Sequence, residues 1–169
     1  MMRKDELVAF FEQLDCLPTG ERIALKREAG TMLPQAKSRA LFAFYKCLPA
    51  DVNQRLDDRF FAAACLHCLW SENVTERLPL EKIVYRLNKD KQISKSMTHR
   101  LEGILDLKWE EDGFLLGKLT RLIQLAKSKN YAVDCAALLI DLIYWNRDEK
   151  RVRLRWASSL YTEEQKDEN

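Results

Sequence analysis

Cys65-Leu66-His67-Cys68 sets two thiols around an imidazole, the densest group of metal-ligating and nucleophilic side chains in the sequence. A structural zinc ion takes four ligands, and no second C-x-x-C or H-x-x-x-H supplies the rest. A thioredoxin-like redox pair needs a βαβ setting, whereas this motif sits in an apolar helical run. The expected role of both cysteines is core packing as small hydrophobes, with no metal and no cofactor. Other enzyme signatures are missing: there is no G-x-x-x-x-G-K-[ST], G-x-G-x-x-G, H-E-x-x-H or G-x-S-x-G. The histidines, His67 and His99, fall on different predicted helices. Asp57-Asp58 and Glu110-Glu111-Asp112 sit in charged, surface-type context, as helix-start and loop residues. A nuclease or hydrolase is not expected.

The basic side chains carry more information. On the helix predicted over Gly20–Ala29, a step of roughly 100° per residue sets Arg27 between Ile23 and Ala24 on the apolar side, with Lys26 and Arg22 on an adjacent ridge. A guanidinium there needs a partner: an internal acid such as Asp57 or Asp141, or a phosphate held in a groove, which its planar fork suits. In the last helix Val152, Trp156 and Leu160 form the inward stripe. Arg147, Arg151 and Arg155 fall within about 80° of one another on another face, in an arc free of acids. A purely structural helix alternates its signs, so this arc points to an anionic partner. Lys118 and Arg121 share a ridge on a third helix, and Arg100 leads into a fourth. Trp70, Trp109, Trp145 and Trp156 read as core or junction residues, with only Trp109 expected to be exposed.

The elements that carry these residues follow from composition and periodicity. The 169 residues include 28 Lys plus Arg and 26 Asp plus Glu, a formal net charge of +2. That near-neutral total separates into blocks: +4 over 20–46, which includes Arg39 and Lys46, −3 over 47–76, +5 over 77–100, −4 over 102–112, +3 over 147–156 and −3 over 161–169. Hydrophobic residues make up 47%, enough for a core, and five Gly with four Pro are too few for the turns of a sandwich or barrel. No apolar run reaches the roughly 18–20 residues that span a bilayer, and the N-terminus shows no signal-peptide core. Five cysteines fit a reducing cytoplasm.

Apolar spacing near 3.6 predicts helices at about 5–15, 19–29, 34–48, 52–70, 80–87, 94–106, 113–126, 133–145 and 148–161. The fourth, apolar throughout its second half, is expected at the centre of the core. The fold class is all-α, about eight or nine helices packed as a compact two-lobed helical bundle. A single domain covers 1–160, with a lobe boundary near 71–79, and 161–169 form an acidic flexible tail.

The ordered pattern resembles a family. Gly20-Glu21-Arg22-Ile23-Ala24-Leu25-Lys26-Arg27-Glu28-Ala29-Gly30, Ala43-Phe44-Tyr45, His99-Arg100-Leu101 and Lys118-Leu119-Thr120-Arg121-Leu122-Ile123 are followed by Val133-Asp134, Asp141-Leu142-Ile143-Tyr144-Trp145 and Arg155-Trp156-Ala157. Together these look like CasB, the small subunit of the type I-E CRISPR surveillance complex Cascade, over about residues 5–161. The resemblance implies an all-α, non-catalytic cytoplasmic protein that assembles as two copies beside CasA-, CasC-, CasD- and CasE-like subunits. Its basic surface would steady the target and displaced DNA strands opened by the crRNA. The nucleic-acid-binding set is Lys26, Arg27, Arg39, Lys46, Arg100, Lys118, Arg121, Arg147, Arg151 and Arg155. Cys135 departs from the pattern, standing where relatives commonly carry Trp. Two other classes remain open on the residues alone: a sequence-specific helical DNA-binding regulator, and a helical protein–protein adaptor with solvated charge blocks.

Overall fold

The computed structural model describes residues 2–163, so 164–169 of the acidic tail lie outside the described residues. Helices run at α1 Lys4–Asp15, α2 Thr19–Arg27, α3 Ser38–Cys47, α4 Asp57–His67, α5 Leu80–Lys89, α6 Ser94–Leu105, α7 Phe114–Ser128, α8 Cys135–Tyr144 and α9 Arg151–Ser159. Short 3₁₀ turns precede α3 at Leu33–Gln35 and α4 at Gln54–Leu56. The expected all-α bundle is therefore what forms. The main difference is in length: Pro34 enters a 3₁₀ turn rather than the first turn of α3, and α4 starts at Asp57 rather than near Val52. Gly30 follows α2 at φ 89°, a left-handed backbone in which a side chain would also press on Thr120.

α4 is the hub. Its residues from Phe60 onward are buried on every face, and it packs against α1, α2, α7 and α8. Phe10, Phe44, Phe60 and Phe61 meet edge-to-face at centroid separations of 5.3–6.4 Å, joining α1, α3 and α4. The second half of the chain packs α5 on α6 and α9, and α6 on α7 and α9. Cys65 and Cys68 lie inside this core, where burial raises both thiols, Cys68 to about 11. They pack as hydrophobes.

The buried guanidinium belongs to Arg22, not Arg27. Arg22 lies one turn before the buried Leu25, and its Nη1 donates to the Leu14 carbonyl at 2.9 Å and to Asp15 Oδ1 at 3.1 Å. Nη2 donates to the Trp70 carbonyl at 2.9 Å, and Nε faces Glu72 at 3.5 Å. One side chain thus satisfies a carbonyl at the end of α1 and another in the turn after α4, and balances two acids. The same Asp15 Oδ1 meets His67 Nε2 at 2.8 Å. Burial and the nearby Arg77 charge nevertheless lower the His67 pKa to about 4, with Asp15 opposing them.

Asp57 and Asp58 are not the surface pair that the sequence suggests. Asp57 is buried and accepts from the Tyr45 hydroxyl at 3.4 Å. Asp58 Oδ2 accepts from Trp109 Nε1 at 2.8 Å. Trp109 is accordingly 5% exposed rather than open to solvent, with the Arg59 guanidinium 5.5 Å from its ring centroid. Asn146 exchanges two hydrogen bonds of 2.8 Å with the Trp109 backbone, closing the 107–112 segment onto the end of α8.

Arg22→Ala is expected to cost roughly 3–5 kcal/mol, because it strands buried carbonyls and Asp15, and to lower Tm by about 6–20 °C in a thermal melt. A second outcome concerns pH. Between about 4 and 6.5 the unfolded chain holds a proton on His67 that the folded chain does not, so stability falls as pH drops through that window. The loss is ~3 kcal/mol at most, and His67→Gln should flatten that part of a Tm-versus-pH curve.

Candidate nucleic-acid interface

The sequence nominates ten cations for the anion-binding surface, and the fold distributes them over three places. The first is the seam between α6 and α7. The Lys118 ammonium lies 3.2 Å from where a Cβ on Gly103 would stand, so the missing side chain lets the α7 lysine lie across α6. Arg100 is one turn before Gly103, and its Nε reaches Ser96 Oγ at 3.3 Å. Arg121 is one turn beyond Lys118. Residues three apart on a helix have Cβ atoms about 5–6 Å apart, which makes Arg100, Lys118 and Arg121 one exposed ridge. None of the three enters an ion pair among the described residues.

The second place is the face of α2 and α3. Lys26 and Arg27 are both exposed on the last turn of α2, where the helix dipole also favours cations. Neither Asp57 nor Asp141 approaches Arg27: the first takes the Tyr45 hydroxyl and the second holds α9. The Arg39 guanidinium lies over Gly20, 2.6 Å from the position of an added Cβ. Lys46 is partly neutralised, with Nζ at 2.8 and 2.9 Å from the two Glu21 oxygens. Between Arg39 and Lys46, Phe42 is 74% exposed, and Tyr45 and Ile23 are also open to solvent.

The third place corrects the arc expected along the last helix. α9 begins at Arg151, so Arg147 stands outside it and stacks on Tyr144, 4.2 Å from the ring centroid. Arg151 pairs with Glu149 at 3.2 Å. Arg155 turns inward, its guanidinium bonded to Asp141 and its Nε 3.3 Å from Glu81. Asp141, 5% exposed, also accepts from Trp156 Nε1 at 2.9 Å, so this cluster locks α9 onto α5 and α8. The acids come from other helices, which a single helical wheel cannot show. Arg155 therefore serves the fold.

Lys127 and Arg86 are cations that the single-helix reading passes over. Burial, and after it the charge of Lys26, lowers the Lys127 pKa. Lys127 belongs to the acid-free stretch 118–129, but nothing in that stretch points to its neighbour Lys26 on α2. Among the described residues no group of three or more His, Cys, Asp or Glu gathers as a metal site, and no helix is long and apolar enough to cross a membrane.

These features define a helical protein whose surface carries separate, largely unpaired basic ridges over an internally paired core. The family model for CRISPR-associated protein Cse2 matches residues 21–161, and the chain belongs to this family, also known as CasB. A CRISPR-associated protein of the Cse2 family from Thermus thermophilus superposes with a TM-score of 0.75 at 23% identity over 95% of this chain and 99% of its own. The crystal structure of M. ruber CasB gives 0.71 at 20% identity, over 92% of each chain. A chain described as a CRISPR RNA-guided surveillance complex gives 0.74 at 19% identity, over 92% of this chain and 91% of its own. No curated protein matches the sequence.

Gly103→Ala tests the close approach at the seam. The new Cβ meets only the far end of a flexible lysine, so the helix-propensity gain should dominate. The expected result is stabilisation of about 0.5 kcal/mol in chemical denaturation.

Proposed function

We propose that the chain is the non-catalytic small subunit of a type I-E Cascade surveillance complex, and that its basic surface steadies the target and displaced DNA strands of the crRNA-guided R-loop. The observation that carries this reading is the Arg100–Lys118–Arg121 ridge, three exposed cations across two helices with no carboxylate partner among the described residues. Membership of the Cse2 family and the similarity to a surveillance-complex chain support it. R-loop formation exchanges one duplex for another of similar stability, so a few backbone contacts suffice to tip the balance. Such contacts act through released counterions, so they depend steeply on salt and little on sequence. The partners would be CasA-, CasC-, CasD- and CasE-like subunits, the crRNA and a second copy of this chain.

The exposed Phe42, Tyr45 and Ile23 favour a complementary role, since apolar groups this open on a folded domain mark protein contacts. The α2–α3 face is therefore a candidate for docking to another subunit, with the α6–α7 ridge left for nucleic acid.

The test is fluorescence anisotropy of the full chain with single-stranded DNA over a salt series. Charge reversal at Arg100, Lys118 and Arg121 should weaken binding at low salt and lower the slope of log K against log salt by about 2, at roughly 0.7 per lost single-strand phosphate contact. Reversal at Arg155 should instead lower Tm. A strong preference for one duplex sequence over random duplex, or an unchanged salt slope in the triple variant, would overturn the proposal.

A further inference from the structure

α7 ends at Ser128, and the chain reverses through Asn130, whose φ is 64°, before entering α8. That turn is tied to the 71–79 segment. Leu78 and Val133 form a single parallel bridge, with Leu78 N–H donating to the Ala132 carbonyl at 2.9 Å and Asp134 N–H to the Leu78 carbonyl at 2.8 Å. Arg77 Nη1 adds a bond to the Val133 carbonyl at 3.1 Å. Above this fastening opens a cleft of about 570 Å³, within the range of small-ligand sites.

The chemistry of its walls is selective. Lys127 and Arg86 line it, and Lys26 stands near enough to act on Lys127. Glu76 is the one acid among the lining residues, and neither Lys127 nor Arg86 enters an ion pair among the described residues. Two aromatic rings, Trp70 and Tyr131, also line the cleft, each with a guanidinium beside it: Arg77 at 5.7 Å and Arg86 at 6.0 Å from the respective centroids. Cations without a carboxylate partner favour an anion, and aromatic rings backed by guanidinium groups favour a planar π-system. A phosphate attached to a base has both.

We propose that this cleft seats one nucleotide, its phosphate held by Lys127 and Arg86 and its base against Trp70 and Tyr131. The inference rests on the nucleic-acid reading above and adds a second, separate seat: Lys127 falls on the side of α7 opposite Lys118, about 180° around the helix. An unpaired nucleotide of a strand and a free mononucleotide share this chemistry, and the experiment distinguishes them.

Trp70 supplies the readout, because Trp109, Trp145 and Trp156 are all buried. The full chain is titrated with a dT oligonucleotide, with dTMP and with polyglutamate while tryptophan emission is followed. The oligonucleotide should quench the emission, and Trp70→Phe should abolish that response. Affinities of the variants are read by anisotropy of the labelled oligonucleotide: Trp70→Ala should weaken binding roughly 5- to 100-fold, the range for a lost base stack, and Lys127→Gln should weaken it and flatten its salt dependence, while Lys127→Arg retains it. Quenching by dTMP with the same dependence on Lys127 would support the cleft as a site for the free nucleotide. Equal, competitive quenching by polyglutamate would overturn the inference in favour of an acidic peptide. If Arg100, Lys118 and Arg121 reversal weakens binding but Trp70 and Lys127 substitutions do not, the cleft assignment alone fails. If the wild-type chain shows no salt-dependent binding, both fail.

Discussion

A guanidinium withdrawn from water must have its hydrogen bonds made and its charge balanced, and Arg22 meets that constraint by gathering four partners from two distant parts of the chain, 14–15 and 70–72. Its bonds to the Leu14 and Trp70 carbonyls hold the end of α1 and the turn after α4 to α2. Asp15, shared with His67, extends the network into the core. The segment after Trp70 departs from this point and is fastened to the α7–α8 turn by the Leu78–Val133 bridge. The start of the 71–79 segment, and so the cleft beside it, is anchored by the buried Arg22 guanidinium through the Trp70 carbonyl and Glu72. α2 is placed by the same guanidinium, which sets Lys26 and Arg27 at its outer end.

The remaining cations sort by whether an acid from another helix reaches them. Arg155 meets Asp141 and Glu81 and becomes the fastening of α9, while Lys46 meets Glu21. Arg100, Lys118 and Arg121 meet none among the described residues. A net charge of +2 thus conceals two populations, one neutralised by acids of other helices and one without such a partner. Local field, rather than net charge, determines how a polyanion is met.

Much of the helix order was legible because burial imposes a 3.6-residue apolar period, and α1, α6 and the inward stripe of α9 follow it closely. The centrality of α4 was legible too, since a helix apolar on all sides has nowhere else to go. The acidic neighbours of Trp109 suggest exposure, yet the acid that binds its ring is Asp58, far away in sequence. Ile23 and Ala24 flank Arg27 on the wheel and suggest an inward side chain. Ile23 is itself 42% exposed, however, and the true inward face runs through Arg22 and Leu25.

The amino-acid sequence by itself determined the helical class, the order of the elements and the family, because periodicity and ordered motifs are local and additive along the chain. The tertiary structure alone decided which charges are paired, which tryptophan reaches solvent, and that Lys127, Arg86 and Trp70 share a cleft. Those outcomes depend on contacts between helices distant in sequence, and a charge or ring acquires its role from the partner brought to it in space.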